Sequence, residues 1–377
     1  MLFLIFFISL FFIFAKNSLA IVNPLDRPNN KIGIHILDPN EVEQVVDLVN
    51  SSGGDWGWVT VPIRDDDRDR EKWQRFFDNC AKNHLIPILR IATAMTETGW
   101  EEPNLLQSID FANFLNQFTW PTKNRYIVVY NEPNHISEWG GRIDPAAYAR
   151  ILKYTSQIFK ARSTDFFILP AGLDAAAPNG NTTMNLYNYL GKMVYSEPDV
   201  LSYIDGWTSH SYPNPGFSGS PLDTHQQSIV SYRWETDYVR QLIGKDLAVF
   251  ITETGWQDNR IGQNNTANFY KIAFDSVWKD TNLVAITPFL FNAQGPFSGF
   301  SFFNSDSSKK PSYLALKTEP KISGKPDTSP SVILGASNSK KVATLPSVQP
   351  DAQLILAAKT WKKIYNWIVN IDFIGHN

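Results

Sequence analysis

Two short segments of this chain carry an apolar, β-prone run into a glutamate. Arg125-Tyr-Ile-Val-Val-Tyr-Asn-Glu-Pro-Asn134 stops at Glu132, and Leu247-Ala-Val-Phe-Ile-Thr-Glu-Thr-Gly-Trp256 stops at Glu253. An ionisable carboxylate at the end of a buried strand is costly unless something there uses it. Two such carboxylates on one scaffold are the minimum equipment for cleaving a glycosidic bond. In the retaining form of that chemistry one carboxyl is protonated and the other ionised, with the two roughly 5 Å apart. Burial and a neighbouring negative charge favour the protonated form, and a nearby arginine favours the ionised one.

The elements that must position these residues follow from the pattern. Strand-like runs fall at 31–36, 58–63, 86–91, 126–130, 166–170, 204–209, 248–252 and 284–291, mostly as continuous apolar stretches. That suits parallel strands covered on both faces. Amphipathic stretches lie between them, for example 41–49, 71–83, 144–161 and 265–278. Asp144-Pro145 is a helix start, with Asp as N-cap and Pro in the first turn. The alternation between about residues 30 and 318 predicts an α/β fold, a (β/α)8 TIM barrel. A doubly wound open sheet is the alternative, but no glycine-rich fingerprint follows the first strand.

In such a barrel, function sits at the C-terminal strand ends. Those ends carry His35, Arg64, Arg90, Asn131 with Glu132, His210 with Tyr212, Glu253 with Trp256 beyond it, and Phe289 to Asn292. Polar, ionisable and aromatic groups thus converge at one mouth. Trp139 and Trp256 could face a sugar or pack under loops. Arg90 could salt-bridge within the mouth, and His35 and His210 could be core histidines. The run 65–70 reads as a solvated loop.

The Asn-Glu-Pro-Asn box and the Thr-Glu-Thr-Gly-Trp segment, in this order and one per barrel half, resemble clan A glycoside hydrolases, particularly families 39 and 5. The resemblance spans about residues 30–318. It implies Glu132 as acid/base, Glu253 as nucleophile, Asn131 on the sugar 2-hydroxyl and Arg64 holding the nucleophile ionised. It also implies His210 and Tyr212 lining the site, and a retaining double displacement with β-linked substrates expected. The family usually places a Trp sugar platform at the end of strand 8. Phe289, Phe291 and Asn292 stand there instead, with Phe291 as the candidate platform.

Composition narrows the alternatives. The 377 residues are 43% hydrophobic and 19% charged, with a net charge of −3 from 34 basic and 37 acidic residues. No basic cluster interleaved with aromatics points to nucleic acid. The single cysteine, Cys80, excludes an intrachain disulfide and reads as a buried hydrophobe. The histidines at 35, 84, 135, 210, 225 and 376 are scattered, which disfavours a metal-dependent barrel hydrolase. A non-catalytic carbohydrate-binding or adhesion barrel would need no carboxylate pair. The expected partner is an oligo- or polysaccharide, with no cofactor and no metal.

Residues 1–20 read as a signal peptide or N-terminal anchor, so a secreted or cell-surface location is expected. Sequons stand at Asn50, Asn181 and Asn264. Residues 319–350, rich in Ser, Pro, Lys and Gly, read as linker, and 351–377 as a short helix with Trp361 and Tyr365 on its apolar face. Either terminus is left open as a membrane or surface tether.

Overall fold

The computed structural model describes residues 21–329. The expected N-terminal signal or anchor and the expected C-terminal helix lie outside the described residues. Eight strands form the barrel: β1 (Gly33–His35), β2 (Gly57–Arg64), β3 (Leu85–Ala92), β4 (Arg125–Val129), β5 (Phe166–Pro170), β6 (Trp207–His210), β7 (Val249–Glu253) and β8 (Leu283–Ile286). β1 to β5 pair in sequence order as one parallel sheet, and β6 to β8 as a second. A parallel bridge between Ile32 and Ile286 joins β8 to β1. A bridge between Asp174 and His210, with Asp205 N–H donating to the Ile168 carbonyl at 2.8 Å, joins β5 to β6. The strands therefore succeed one another around a (β/α)8 barrel.

Successive residues of each strand divide between two cores, which explains their continuous apolar character. Val59, Val61, Ile127, Val129, Ile168 and Ile251 pack outward with helix residues such as Trp73, Phe76 and Leu152. Trp58, Ile86, Ile88, Tyr126, Val128, Phe167, Leu169 and Phe250 form a separate cluster inside the barrel. Gly206 sits where β5 and β6 approach, and an added Cβ would lie 2.9 Å from the Phe167 ring.

The helices close as their caps dictate. Asp144 accepts from Ala147 N–H, and Pro145 opens Pro145–Arg162. Asp69, in the expected solvated run, caps Arg70–Lys82 through the N–H groups of Glu71 and Lys72. Two departures matter. The expected eighth strand stops at Ile286, and its continuation bonds individually, Phe289 N–H to Thr254 O and Phe291 N–H to His35 O. A small antiparallel hairpin, Met95–Thr96 with Gly99–Trp100, rises from the mouth after β3.

Residues 319–329, composed like a linker, lie along the N-terminal end of the barrel. Lys321 N–H donates to Ser52 O, Gly324 N–H to Asp55 O and Lys325 N–H to Pro28 O, and Asp327 pairs with Arg27 at 3.1 Å. Backbone hydrogen bonding, invisible in composition, fixes this stretch.

Candidate active site

The two glutamates reach the mouth by different local devices. β4 ends in positive-φ residues, with φ 68° at Tyr130 and 30° at Glu132. Such conformations are costly for residues with a Cβ and cluster at functional sites. Here they send the Tyr130 ring into the outer core, while Glu132 N–H bonds Gly172 O at 3.1 Å. On β7 the register slips: Ser209 pairs with Ile251, but His210 pairs with Glu253, leaving Thr252 as an extra residue. A bulge of this kind re-aims the following side chain, which brings Glu253 inward where simple alternation would face it out.

The carboxyls then meet across His210. A Glu132 oxygen, a His210 ring nitrogen and a Glu253 oxygen all lie within 4.8 Å of one another. His210 Nδ1 is 2.7 Å from Glu132 Oε1 and 3.8 Å from Glu253 Oε2. The imidazole is buried against Gly172, where any Cβ would fall 2.2 Å from its ring. Tyr212 Oη donates to Glu253 Oε2 at 3.0 Å, and His35 Nδ1 and Arg90 Nη1 stand 3.8 and 3.9 Å from Oε1. The same trio of donors is the one group of three metal-ligating side chains among the described residues. A nitrogen 2.7 Å from a carboxylate oxygen is at hydrogen-bonding distance, so His210 and Glu132 form a hydrogen-bonded pair with Glu253 beside it.

The electrostatics are unequal. Burial pushes the Glu253 carboxyl up, but His210, His35, Arg90 and the Tyr212 hydroxyl together outweigh it and hold Glu253 below the usual glutamate range. Burial opposes charge on His210, yet Glu253 and the bond to Glu132 raise its pKa above the ordinary value. Burial dominates at His35, whose pKa falls to about 4. Burial, and then the two carboxylates, keep the Tyr212 hydroxyl protonated and therefore a donor. Glu253 is thus an enclosed carboxylate under several donors, while the side chain of Glu132 is twice as exposed, 20% against 10%.

Both glutamates open into a cleft of about 990 Å³, lined also by Arg64, Arg90, Trp100, Asn131, His135, Glu138, Asp174, Tyr212, Phe217, Phe289, Phe297 and Phe300. Several expected site residues take other places. Arg64 lines the cleft, but its guanidinium bonds Asp66 at 2.9 and 3.0 Å; the cation beside Glu253 is Arg90. The register explains this. Arg90 pairs with Pro62 and Arg64 with Ala92, so Arg64 stands two residues further up the wall. His35 is fully buried behind Glu253, touching the carboxylate and not the cleft. Trp139 is enclosed between Tyr130 and Tyr148, and Trp256 packs on Phe269, Tyr270 and Trp278 with its indole N–H on Gly219 O. Phe291 stacks edge-on against Phe303 inside the core. These three are packing residues, not sugar platforms. The cleft aromatics are instead Trp100 on the hairpin and Phe217, Phe289, Phe297 and Phe300.

Glu138 was not foreseen at all. It follows β4 in the turn Ile136–Glu138 and accepts a hydrogen bond from Asn131 Nδ2 at 3.1 Å. Burial, then the charge of Glu132, raise its pKa to about 7. The nearest sequence signal was its distance of six residues beyond Glu132, too short to leave the mouth.

No protein-family model matches the sequence, and no curated protein matches it. Solved structures do. A monomeric β-xylosidase from Caulobacter crescentus superposes with a TM-score of 0.58 at 16% identity, over 79% of this chain and 70% of that one. A family 39 glycoside hydrolase from the gut symbiont Bacteroides cellulosilyticus gives 0.56 at 16% identity, over 79% and 65%. A family 128 endo-β-1,3-glucanase from Sorangium cellulosum gives 0.53 at 13% identity, over 77% and 98%. This chain thus spans about two thirds of the Bacteroides protein and nearly all of the Sorangium one in aligned length. At these identities the likeness establishes the fold alone, a (β/α)8 barrel.

Proposed function

We propose that this chain is a retaining glycoside hydrolase acting on β-linked sugars, with Glu253 as nucleophile and Glu132 as acid/base. The observation that carries the reading is the approach of the two carboxyls to within 4.8 Å, the retaining spacing, with one enclosed by cations and donors and the other facing the cleft. Proteins sharing the fold are described as a β-xylosidase and an endo-β-1,3-glucanase, which supports a β-linked substrate. A cleft of about 990 Å³ has room for an oligosaccharide.

In the first step a Glu253 oxygen attacks the anomeric carbon. The glycosidic bond breaks, and its oxygen leaves with a proton from Glu132. His210, bonded to Glu132 Oε1, keeps that carboxyl in position. In the second step water gives a proton to Glu132, its oxygen bonds the anomeric carbon, and Glu253 leaves as a carboxylate. Arg90, His210 and the Tyr212 hydroxyl stabilise the charge on Glu253 before attack and after release. Asn131 meets a sugar hydroxyl beside the reacting carbon. Export to the cell exterior, through the apolar run of residues 1–15, belongs to the same proposal.

The two substitutions fail differently. Glu253→Ala is expected to abolish turnover of an aryl β-glycoside. Glu132→Ala is expected to retain the first step on activated leaving groups, with azide accelerating the second to give a β-glycosyl azide. Azide rescue with retained configuration in Glu253→Ala would exchange the roles.

A further inference from the structure

The bond from Asn131 Nδ2 to Glu138 Oε2, at 3.1 Å, is the only hydrogen bond made by the Asn131 side chain among the described residues. The other end of the amide, Oδ1, is buried and has no partner. An amide held at one point by one bond turns freely once that bond is lost, because the torsion that rotates it is broad. Glu138 itself is firmly delivered. Its turn is closed by Glu138 N–H to His135 O and Gly141 N–H to Ile136 O, and is tied to the mouth hairpin by Gly140 N–H to Trp100 O at 2.9 Å. Gly99 of that hairpin lies so close that an added Cβ would sit 2.2 Å from Ser137 O.

We propose that Glu138 is a positioning residue: its carboxyl fixes the Asn131 amide so that the second Nδ2 hydrogen points into the cleft at a sugar hydroxyl beside the scissile bond. The proposal rests on the glycosidase reading for the identity of the ligand, but the Glu138–Asn131 bond itself does not. Asn131 is left a donor to the substrate, because the oxygen end is enclosed. The arrangement works in either protonation state of Glu138, since both keep an oxygen to accept the Nδ2 hydrogen. A pKa near 7, set by burial and by Glu132, therefore leaves the bond intact across neutrality. A hydrogen bond to the substrate that strengthens in the transition state acts on kcat more than on KM.

The test uses the full chain and compares Glu138→Ala, Glu138→Gln, Asn131→Ala and the Glu138→Ala/Asn131→Ala pair. Turnover of an aryl β-glycoside and the side-chain amide signals of Asn131, by ¹⁵N-asparagine NMR, are both read. In Glu138→Ala, kcat is expected to fall about ten- to a hundredfold, the scale of a misplaced contact, with KM within about threefold. Glu138→Gln, whose carbonyl accepts the same hydrogen, should restore kcat to within about threefold of the parent. The pair should be no slower than Asn131→Ala alone, since Glu138 acts through that amide. The Asn131 amide signals should move towards free-amide positions in Glu138→Ala and stay in place in Glu138→Gln. Glutamine as damaging as alanine, or a pair slower than Asn131→Ala by a further tenfold, would overturn the proposal. If the parent hydrolyses no β-glycoside, the glycosidase reading falls. The NMR comparison still decides the positioning role, and unmoved Asn131 signals in Glu138→Ala would refute it.

Discussion

The same strands that end in charge at the mouth carry apolar side chains, several of them aromatic, towards the opposite end. β3 carries Ile86 and Ile88 low in the barrel and Arg90 above them; β7 carries Phe250 below and Glu253 above. At the lower end Trp58, Tyr126, Phe167 and Phe250 pack with ring centroids 5.0–5.8 Å apart, leaving a cavity of only about 30 Å³ beneath. At the upper end the space opens to about 990 Å³ and the inward groups are ionisable. A few residues of strand, at roughly 3.3 Å each, separate the two regimes. The lower end is packed for stability and can spare no void, whereas the upper end holds groups whose solvation cost is offset only by one another.

The division can be broken from either side. Tyr126→Ala, which empties the middle of the ring cluster, is expected to destabilise the barrel by about 3–5 kcal/mol, judged by denaturant unfolding. The kcat of the molecules that remain folded should stay within a few-fold. A selective loss of kcat without loss of stability would blur the two regions. Arg90→Leu works on the other end. It should lower kcat by roughly 10²–10³-fold, the scale of losing one charge-stabilising contact, while Arg64→Leu costs less than about tenfold. Equal losses would return to Arg64 the role that the register gives to Arg90.

The smallest expected effect is on stability against pH. His35 has a folded pKa of about 4 against an ordinary 6.5, because burial opposes its charge more than Glu253 favours it. Between these values the unfolded chain binds a proton that the folded chain does not, so stability falls as pH drops from 6.5 towards 4. Glu253 acts in the same direction at lower pH, since a depressed carboxyl loses its contribution as pH falls through the folded pKa. His35→Leu should flatten the stability curve between pH 6.5 and 4 by up to about one proton, a few kcal/mol at most. An unchanged slope would mean that His35 is protonated in the folded mouth.

What could be read from the chain beforehand follows the same line. Local pattern gave the eight strands, the Asp144 cap and the two carboxylates, because each depends on a few adjacent residues. Three features depend on tertiary packing and escaped it. The bulge at Thr252 turns Glu253 inward, the register sets Arg90 rather than Arg64 beside it, and Trp139, Trp256 and Phe291 are enclosed by rings of the flanking elements. Ring-bearing residues look alike in sequence whether they face a sugar or a core. Phe217 and Phe300, which do line the cleft, sit on loops, and Phe297 on a single 3-10 turn, none of them in a periodic stretch. Glu138 stayed hidden because its partner is an amide rather than a charge.

The most direct test of the account is the configuration of the first sugar released. Hydrolysis of a β-linked substrate can be followed by ¹H NMR of the anomeric protons, fast enough to precede mutarotation. Attack by Glu253 on the face opposite the leaving group, followed by attack of water on the face opposite Glu253, inverts the anomeric carbon twice, so a pair of carboxyls this close should give the β anomer first, with the α anomer growing in later. An α anomer as first product would mean single displacement by water, and would contradict the role assigned to Glu253.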